Sequence, residues 1–158
     1  MVEKKPIETD LFQISLFKIE SKNDLYRETL ITIQNKKTGK THTVRHFFIF
    51  SWVDMSVISN AKRLSLMKIL KFMRKSLSQS PSSPVVVHCS AGIGRTGTLI
   101  ALYHLYQDYL DSLLLNREFE FSVYDTVIRL RHMRRSMVQT ETQYEFIFEF
   151  IRNFDKFK

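Results

Sequence analysis

Apolar positions along this chain change period after the first third. Before residue 51 they come in short β-branched and aromatic runs, and after residue 61 they recur every three or four positions. Leu11–Phe17 and Thr29–Gln34 therefore predict strands. Asn35-Lys36-Lys37-Thr38-Gly39-Lys40 predicts a turn, and His42–Phe50, rich in Val, Ile and Phe, a buried strand. A helix is predicted over Ala61–Leu77, with Leu66, Ile69, Leu70, Met73 and Leu77 on one stripe. Ser76–Pro84 is Ser/Pro-rich and reads as a surface loop, followed by a strand at Val85-Val86-Val87. Arg95–Leu115 is apolar nearly all round (Leu99, Ile100, Leu102, Tyr103, Leu105, Tyr106, Leu110) and predicts a buried central helix. Ser122-Val123-Tyr124-Asp125 is a helix start of capping-box type, with Val123, Val127 and Leu130 on one face. Thr140-Glu141-Thr142-Gln143 is a second such start, with Tyr144, Ile147, Phe148 and Ile151 lining the helix behind it. No repeat and no internal boundary interrupts the pattern. Strands first, then helices with one central strand, predict an α/β or α+β layered fold with a central mixed sheet flanked by helices.

Composition narrows the class. The chain has 158 residues, enough for one domain with a buried core. A hydrophobic content of 44% with thirteen phenylalanines excludes a disordered chain. A single cysteine excludes an internal disulfide framework and fits a reducing compartment. Met1–Pro6 lacks the apolar core of a signal peptide, and no Asn-x-Ser/Thr site occurs. No stretch approaches the roughly 18 apolar residues that span a bilayer. The expectation is a cytoplasmic protein without a membrane span. The net charge of +8 suits an acidic or phosphorylated partner, or nucleic acid, or simply a solvated basic surface. Lys62, Arg63, Lys68, Lys71, Arg74 and Lys75 fall mainly on the polar side of one helix.

The most informative string is His88-Cys89-Ser90-Ala91-Gly92-Ile93-Gly94-Arg95-Thr96-Gly97-Thr98. Its place predicts strand, tight loop, helix. Gly92-Ile93-Gly94 alone is no more than a tight turn. A cysteine, five residues and an arginine at a helix mouth make a site for a phosphate dianion. Loop N–H groups and the helix N-terminus favour negative charge, Arg95 grips two oxygens at once, and the same field favours the Cys89 thiolate. No Gly-Lys-Ser/Thr follows, so this is not a Walker loop. Asp54, on the turn after a predicted strand, is either a turn or cap aspartate or a carboxylic acid placed to protonate a leaving oxygen. Trp52 beside it suits an anchor for a mobile loop. An amide at Gln139 or Gln143 suits a water-holding role, and Gln143 also fits the cap. Arg131 and Arg134 either brace the loop, meet a phosphate, or form a solvated helix end.

With these segments the chain resembles the cysteine-dependent, tyrosine-specific protein tyrosine phosphatases. His88–Thr98 matches the phosphate-binding signature, Trp52-Val53-Asp54 the mobile acid loop, and Gln139–Gln143 the glutamine loop. The resemblance runs from about Thr41 to the C-terminus, and the chain corresponds to the C-terminal half to two-thirds of the usual domain. It implies that Cys89 is the nucleophile, that the loop Ser90, Ala91, Gly92, Ile93, Gly94 and Arg95 binds the phosphoryl group, and that Asp54 is acid and then base. It implies that Gln139 holds the water with Gln143 assisting. Thr96 would bond the sulfur, and His88 would shape the loop and lower the Cys89 pKa. It implies no cofactor and no metal, and phosphotyrosine-containing proteins as partners. Val53, Met55, Ser56 and Ile58 stand where the family usually has Pro, an aromatic, Gly and often Pro, which predicts a less populated closed acid loop. Ser136 replaces a frequent Gly. The family's tyrosine-stacking loop and the Lys/Glu-bearing hairpin have no counterpart. These departures leave a catalytically impaired phosphotyrosine-binding pseudophosphatase as one alternative, and the short length and +8 charge leave a compact dual-specificity or RNA-phosphate phosphatase as another.

Overall fold

β-Branched and aromatic residues dominate the first third of the chain and pair there into an antiparallel meander. The computed structural model describes residues 5–79 and 82–157. Four strands, β1 (Ile7–Glu8), β2 (Phe12–Lys22), β3 (Tyr26–Asn35) and β4 (Thr41–Ile49), lie in sheet order β1-β2-β3-β4. Leu16 faces Ile31 and Ile31 faces Val44, so one face carries an apolar row across three strands. Register shifts between Leu16 and Lys18 and between Ile19 and Ser21 interrupt β2. The predicted turn forms. The Asn35 side-chain oxygen accepts the Lys37 and Thr38 N–H groups at 2.9 and 3.1 Å, and Gly39 takes φ +68°.

Two expectations are corrected here. The sheet is wholly antiparallel, not mixed, because Val85–Val87 joins no ladder. A strand needs a hydrogen-bonded neighbour; the described residues supply none, and Val86 is 80% exposed. β4 is also not buried: it is an edge strand, its first five residues are exposed, and Phe48 is 49% exposed. Paired on one side only, it keeps its polar alternates Thr41, Thr43 and Arg45 in water. The α+β class stands, with strands first and helices after.

The chain divides into two compact units, residues 1–51 and 52–158. The second is helical: α1 (Arg63–Gln79), α2 (Gly94–Leu114), α3 (Val123–Met133) and α4 (Glu141–Ile151). Leu66, Ile69, Leu70 and Met73 bury the predicted stripe of α1. α2 is the central helix and is buried nearly all round from Gly94 to Leu102, yet Leu113, Leu114 and Leu115 are exposed, so its burial ends at Ser112. Ser122 caps α3 by accepting the Asp125 N–H, and Thr140 and Gln143 close a full capping box on α4. The α4 stripe differs from the predicted one. Gln143, Phe146, Ile147, Phe150 and Ile151 are buried, whereas Phe148 is 37% exposed. The helix is apolar on adjoining stripes, and the one that also buries Gln143 faces the core.

Aromatic rings fill that core. Phe150 lies 5.6 Å from Phe146 and 5.8 Å from Phe154, and Tyr106 and Tyr109 pack on Phe154 at 5.7 and 5.4 Å. Among the described residues no helix is long and apolar enough to cross a membrane. Phe150 is 0% exposed, so Phe150→Ala lowers stability by about 3–5 kcal/mol, read from urea denaturation followed by helical circular dichroism.

Candidate active site

All the chemistry-bearing residues of the string lie in the second unit, at the N-terminal end of α2. The chain turns at Gly92 (φ +72°), which aims the Gly92 N–H back at Cys89 Sγ, 3.3 Å away. No side chain caps α2 at Ile93, and of its first-turn N–H groups that of Thr96 lies on the Cys89 sulfur. Cys89 is half-buried, which pushes its thiol pKa up. The Thr96 hydroxyl and the backbone N–H groups of Thr96, Gly92 and Ile93 outweigh that and hold it below the ordinary cysteine value. The Thr96 hydroxyl is buried near that sulfur and makes no hydrogen bond to any oxygen or nitrogen among the described residues. His88 and Ser90 are exposed, and the groups that lower the Cys89 pKa do not include His88.

Arg95, the first residue after Gly94 in α2, reaches the acid loop. Its guanidinium donates to the Trp52 carbonyl at 3.0 Å and pairs with the Asp54 carboxylate at 3.0 Å. Its Nε is buried and has no hydrogen-bond partner among the described residues. Trp52 is 4% exposed, packs 6.4 Å from Phe146, and donates its indole N–H to the Ser56 carbonyl at 2.9 Å. It is the anchor the sequence suggested. The loop turns at Met55 (φ +61°), not at Ser56, and Ser56 Oγ donates to the Val53 carbonyl at 2.7 Å. Asp54 is 55% exposed. An ion pair so wetted contributes only about 0–1 kcal/mol.

The two glutamines converge on the same loop. A Cβ at Gly94 would lie 3.0 Å from Gln139 Oε1 and 3.2 Å from Gln143 Nε2. Gln143 is fully buried. Its oxygen accepts the Gln139 and Thr140 N–H groups at 3.1 and 3.3 Å, and its amide donates to the Ser56 carbonyl at 3.4 Å. The cap and the site are therefore one structure, and it links the acid loop to the glutamine loop.

Three contacts were not readable beforehand. Arg134 donates to the Ala91 carbonyl at 3.1 Å and lies over Gly92, where a Cβ would be 3.5 Å from its guanidinium. Arg131 donates to the Met137 and Val138 carbonyls at 3.0 and 2.9 Å. Both arginines brace loops, one of the three options the sequence left open. Gly97 approaches Val138 so closely that a Cβ would sit 2.5 Å from the Val138 nitrogen. The glycine itself was the visible signal, but nothing local names its partner. Among the described residues no group of three or more His, Cys, Asp or Glu converges to hold a metal.

Two measurements check this geometry. A lowered pKa keeps Cys89 a thiolate to lower pH than free cysteine, so its alkylation by iodoacetamide reaches its plateau at lower pH. Thr96→Ala removes a lowering contact. It moves the midpoint of that profile upward, slowing alkylation on the acid side and leaving the alkaline plateau unchanged. Asp54→Asn frees Arg95 and tightens inorganic phosphate binding by up to about five-fold, the equivalent of one surface ion pair, as read by calorimetry.

The chain matches the protein-tyrosine phosphatase family over residues 2–153. It is 35% identical over 149 residues to human tyrosine-protein phosphatase non-receptor type 18, covering 92% of this chain and 30% of that protein. It is 34% identical over 150 residues to tyrosine-protein phosphatase 1 of Saccharomyces cerevisiae, covering 86% of this chain and 43% of that one. The crystal structure of the human non-receptor type 18 catalytic domain superposes with a TM-score of 0.80 at 30% identity, covering 96% of this chain and 52% of that chain. The same phosphatase in complex with HER2-pY1196 phosphopeptides gives a TM-score of 0.79 at 29% identity, covering 94% of this chain and 48% of that one. The chain thus spans about half of the solved domain chains and less than half of the two full-length relatives. With a match across nearly all its residues, the chain belongs to the protein-tyrosine phosphatase family.

Proposed function

We propose that this chain hydrolyses phosphotyrosine in proteins through a cysteinyl-phosphate intermediate. The observation that carries the reading is Cys89: a thiol held below its ordinary pKa by the Thr96 hydroxyl and backbone N–H groups, at the mouth of a helix whose second residue is Arg95. A thiolate in that position is a nucleophile facing a phosphate cradle. Cys89 Sγ attacks phosphorus, the bond from phosphorus to the tyrosine oxygen breaks, and Asp54 gives its proton to that oxygen. The N–H groups from Ser90 through Ala91, Gly92, Ile93 and Gly94 to Arg95, with the Arg95 guanidinium, hold the three equatorial oxygens. Water held by Gln139, with Gln143 behind it, then attacks phosphorus. The sulfur–phosphorus bond breaks with its electron pair returning to sulfur, the water proton passes to Asp54, and inorganic phosphate leaves. Thr96 hydroxyl donates to the departing thiolate, and His88 shapes the loop ahead of Cys89.

Residues 1–158 act in this reading as one catalytic domain, and the family match running across both units supports it. Phosphotyrosine-containing proteins as substrates are supported by the similar phosphatase whose structures hold phosphotyrosine peptides. A nucleophile that works only as a free thiolate needs a reducing compartment, which favours the cytoplasm. No cofactor enters this chemistry. One observation favours a second reading, a phosphotyrosine-binding module: the Asp54 carboxylate pairs with Arg95 instead of standing free as an acid.

The test is hydrolysis of a phosphotyrosine peptide by the 158-residue chain beside Cys89→Ser. Turnover abolished by the substitution, with phosphoserine peptide and RNA 5′-triphosphate untouched, is the expected result. Peptide binding by folded protein without turnover supports the binding module instead.

A further inference from the structure

We infer that Arg131 is a positioning residue for the second half of the reaction, the hydrolysis of the phospho-enzyme; the inference rests on the proposed role of Gln139. Arg131 stands in the last turn of α3 and its guanidinium forks onto two consecutive carbonyls, Met137 at 3.0 Å and Val138 at 2.9 Å. The residue between that fork and Gln139 is strained. Val138 is β-branched, 1% exposed, and takes φ +60°, a backbone that β-branched residues almost never adopt. Ser136, two residues earlier, also takes a left-handed φ of +64°. Such a segment persists only where its surroundings over-determine it, and here they act from two sides. The Val138 N–H donates to the Ile93 carbonyl at 3.0 Å on the phosphate-loop side, and Arg131 holds the Val138 carbonyl on the other. Gln139 follows directly, with its side-chain oxygen over Gly94.

The fork touches none of the groups that form the intermediate. Cys89, the loop N–H groups, Arg95 and Asp54 make no hydrogen bond or ion pair with Arg131 in the contacts described above. Attack of Cys89 on phosphorus and protonation of the leaving oxygen meet Arg131 only at one remove, through the Val138–Ile93 hydrogen bond. Breakdown depends on it more directly, because the attacking water must sit on the line opposite the sulfur, and the backbone that aims Gln139 is the one Arg131 holds. Lysine offers a single point charge where arginine offers a planar fork, so it satisfies at most one of the two carbonyls well.

The experiment is rapid-quench kinetics on the full chain with a phosphotyrosine peptide, comparing wild type, Arg131→Met and Arg131→Lys. In Arg131→Met the phospho-enzyme forms at the wild-type rate and its breakdown slows roughly 10- to 100-fold, the scale of a small misplacement of a reacting group. The intermediate accumulates, and kcat and KM fall together while kcat/KM holds. Arg131→Lys falls between. Equal breakdown rates in wild type and Arg131→Met overturn the inference, and so does slowing of formation in step with breakdown, the mark of a merely structural loss. Peptide turnover that survives Cys89→Ser overturns instead the covalent reading on which the inference rests.

Discussion

The backbone of Val138 lies against Gly97 with no room for a side chain between them, and much of the site depends on that contact. The Ile93 carbonyl accepts two N–H groups, from Gly97 at 3.1 Å within the first turn of α2 and from Val138 at 3.0 Å across the gap. One carbonyl thus ties the phosphate loop, the start of the central helix and the glutamine loop together. Any Cβ at position 97 meets backbone, not a flexible side-chain end, at 2.5 Å. Backbone cannot swing aside as a rotamer does, so the two loops part or the helix shifts. The start of α2 and the backbone of Val138 approach this closely only because position 97 is glycine.

Electrostatics completes what packing begins. The Thr96 hydroxyl and the N–H groups of Thr96, Gly92 and Ile93 favour negative charge at Cys89, while Arg95 in the same helix end pairs with the Asp54 carboxylate on an exposed loop. That pairing is weak by its exposure. The loop is not loose, however. Trp52 is buried, and the Ser56 carbonyl receives both the indole N–H and the Gln143 amide. Its ends are fixed while its acidic tip faces water, so a change in what Arg95 holds is felt at Asp54 before it is felt in the core.

What was legible in the sequence was local. The caps at Ser122 and Thr140 and the turn over Asn35–Lys40 each depend on residues a few positions apart, and all stand as read. The Val85–Val87 strand failed because a strand is a relation between segments, and its neighbour has to be supplied by another stretch of backbone. The face of α4 was misjudged because its aromatic residues support adjoining stripes, and tertiary packing chose between them. Arg131 stayed open because a long side chain at a helix end reaches solvent, phosphate or backbone with equal ease until the path of the next loop is known.

Gln143 shows why the cap and the catalytic proposal do not compete for it. A glutamine in the third position of a helix closes a capping box through its side-chain oxygen, and that oxygen is fully used on the Gln139 and Thr140 N–H groups. The amide nitrogen is left to the Ser56 carbonyl and to the space above Gly94. The division by atom is chemical: the acceptor end builds the helix, the donor end faces the site. Capping binds the Gln139 N–H as well, so the force that starts α4 also fixes the backbone from which the Gln139 side chain projects. Stability of the helix and aim of the Gln139 side chain are therefore set by the same hydrogen bonds. The strained Val138 immediately before them is the strain this arrangement has to hold.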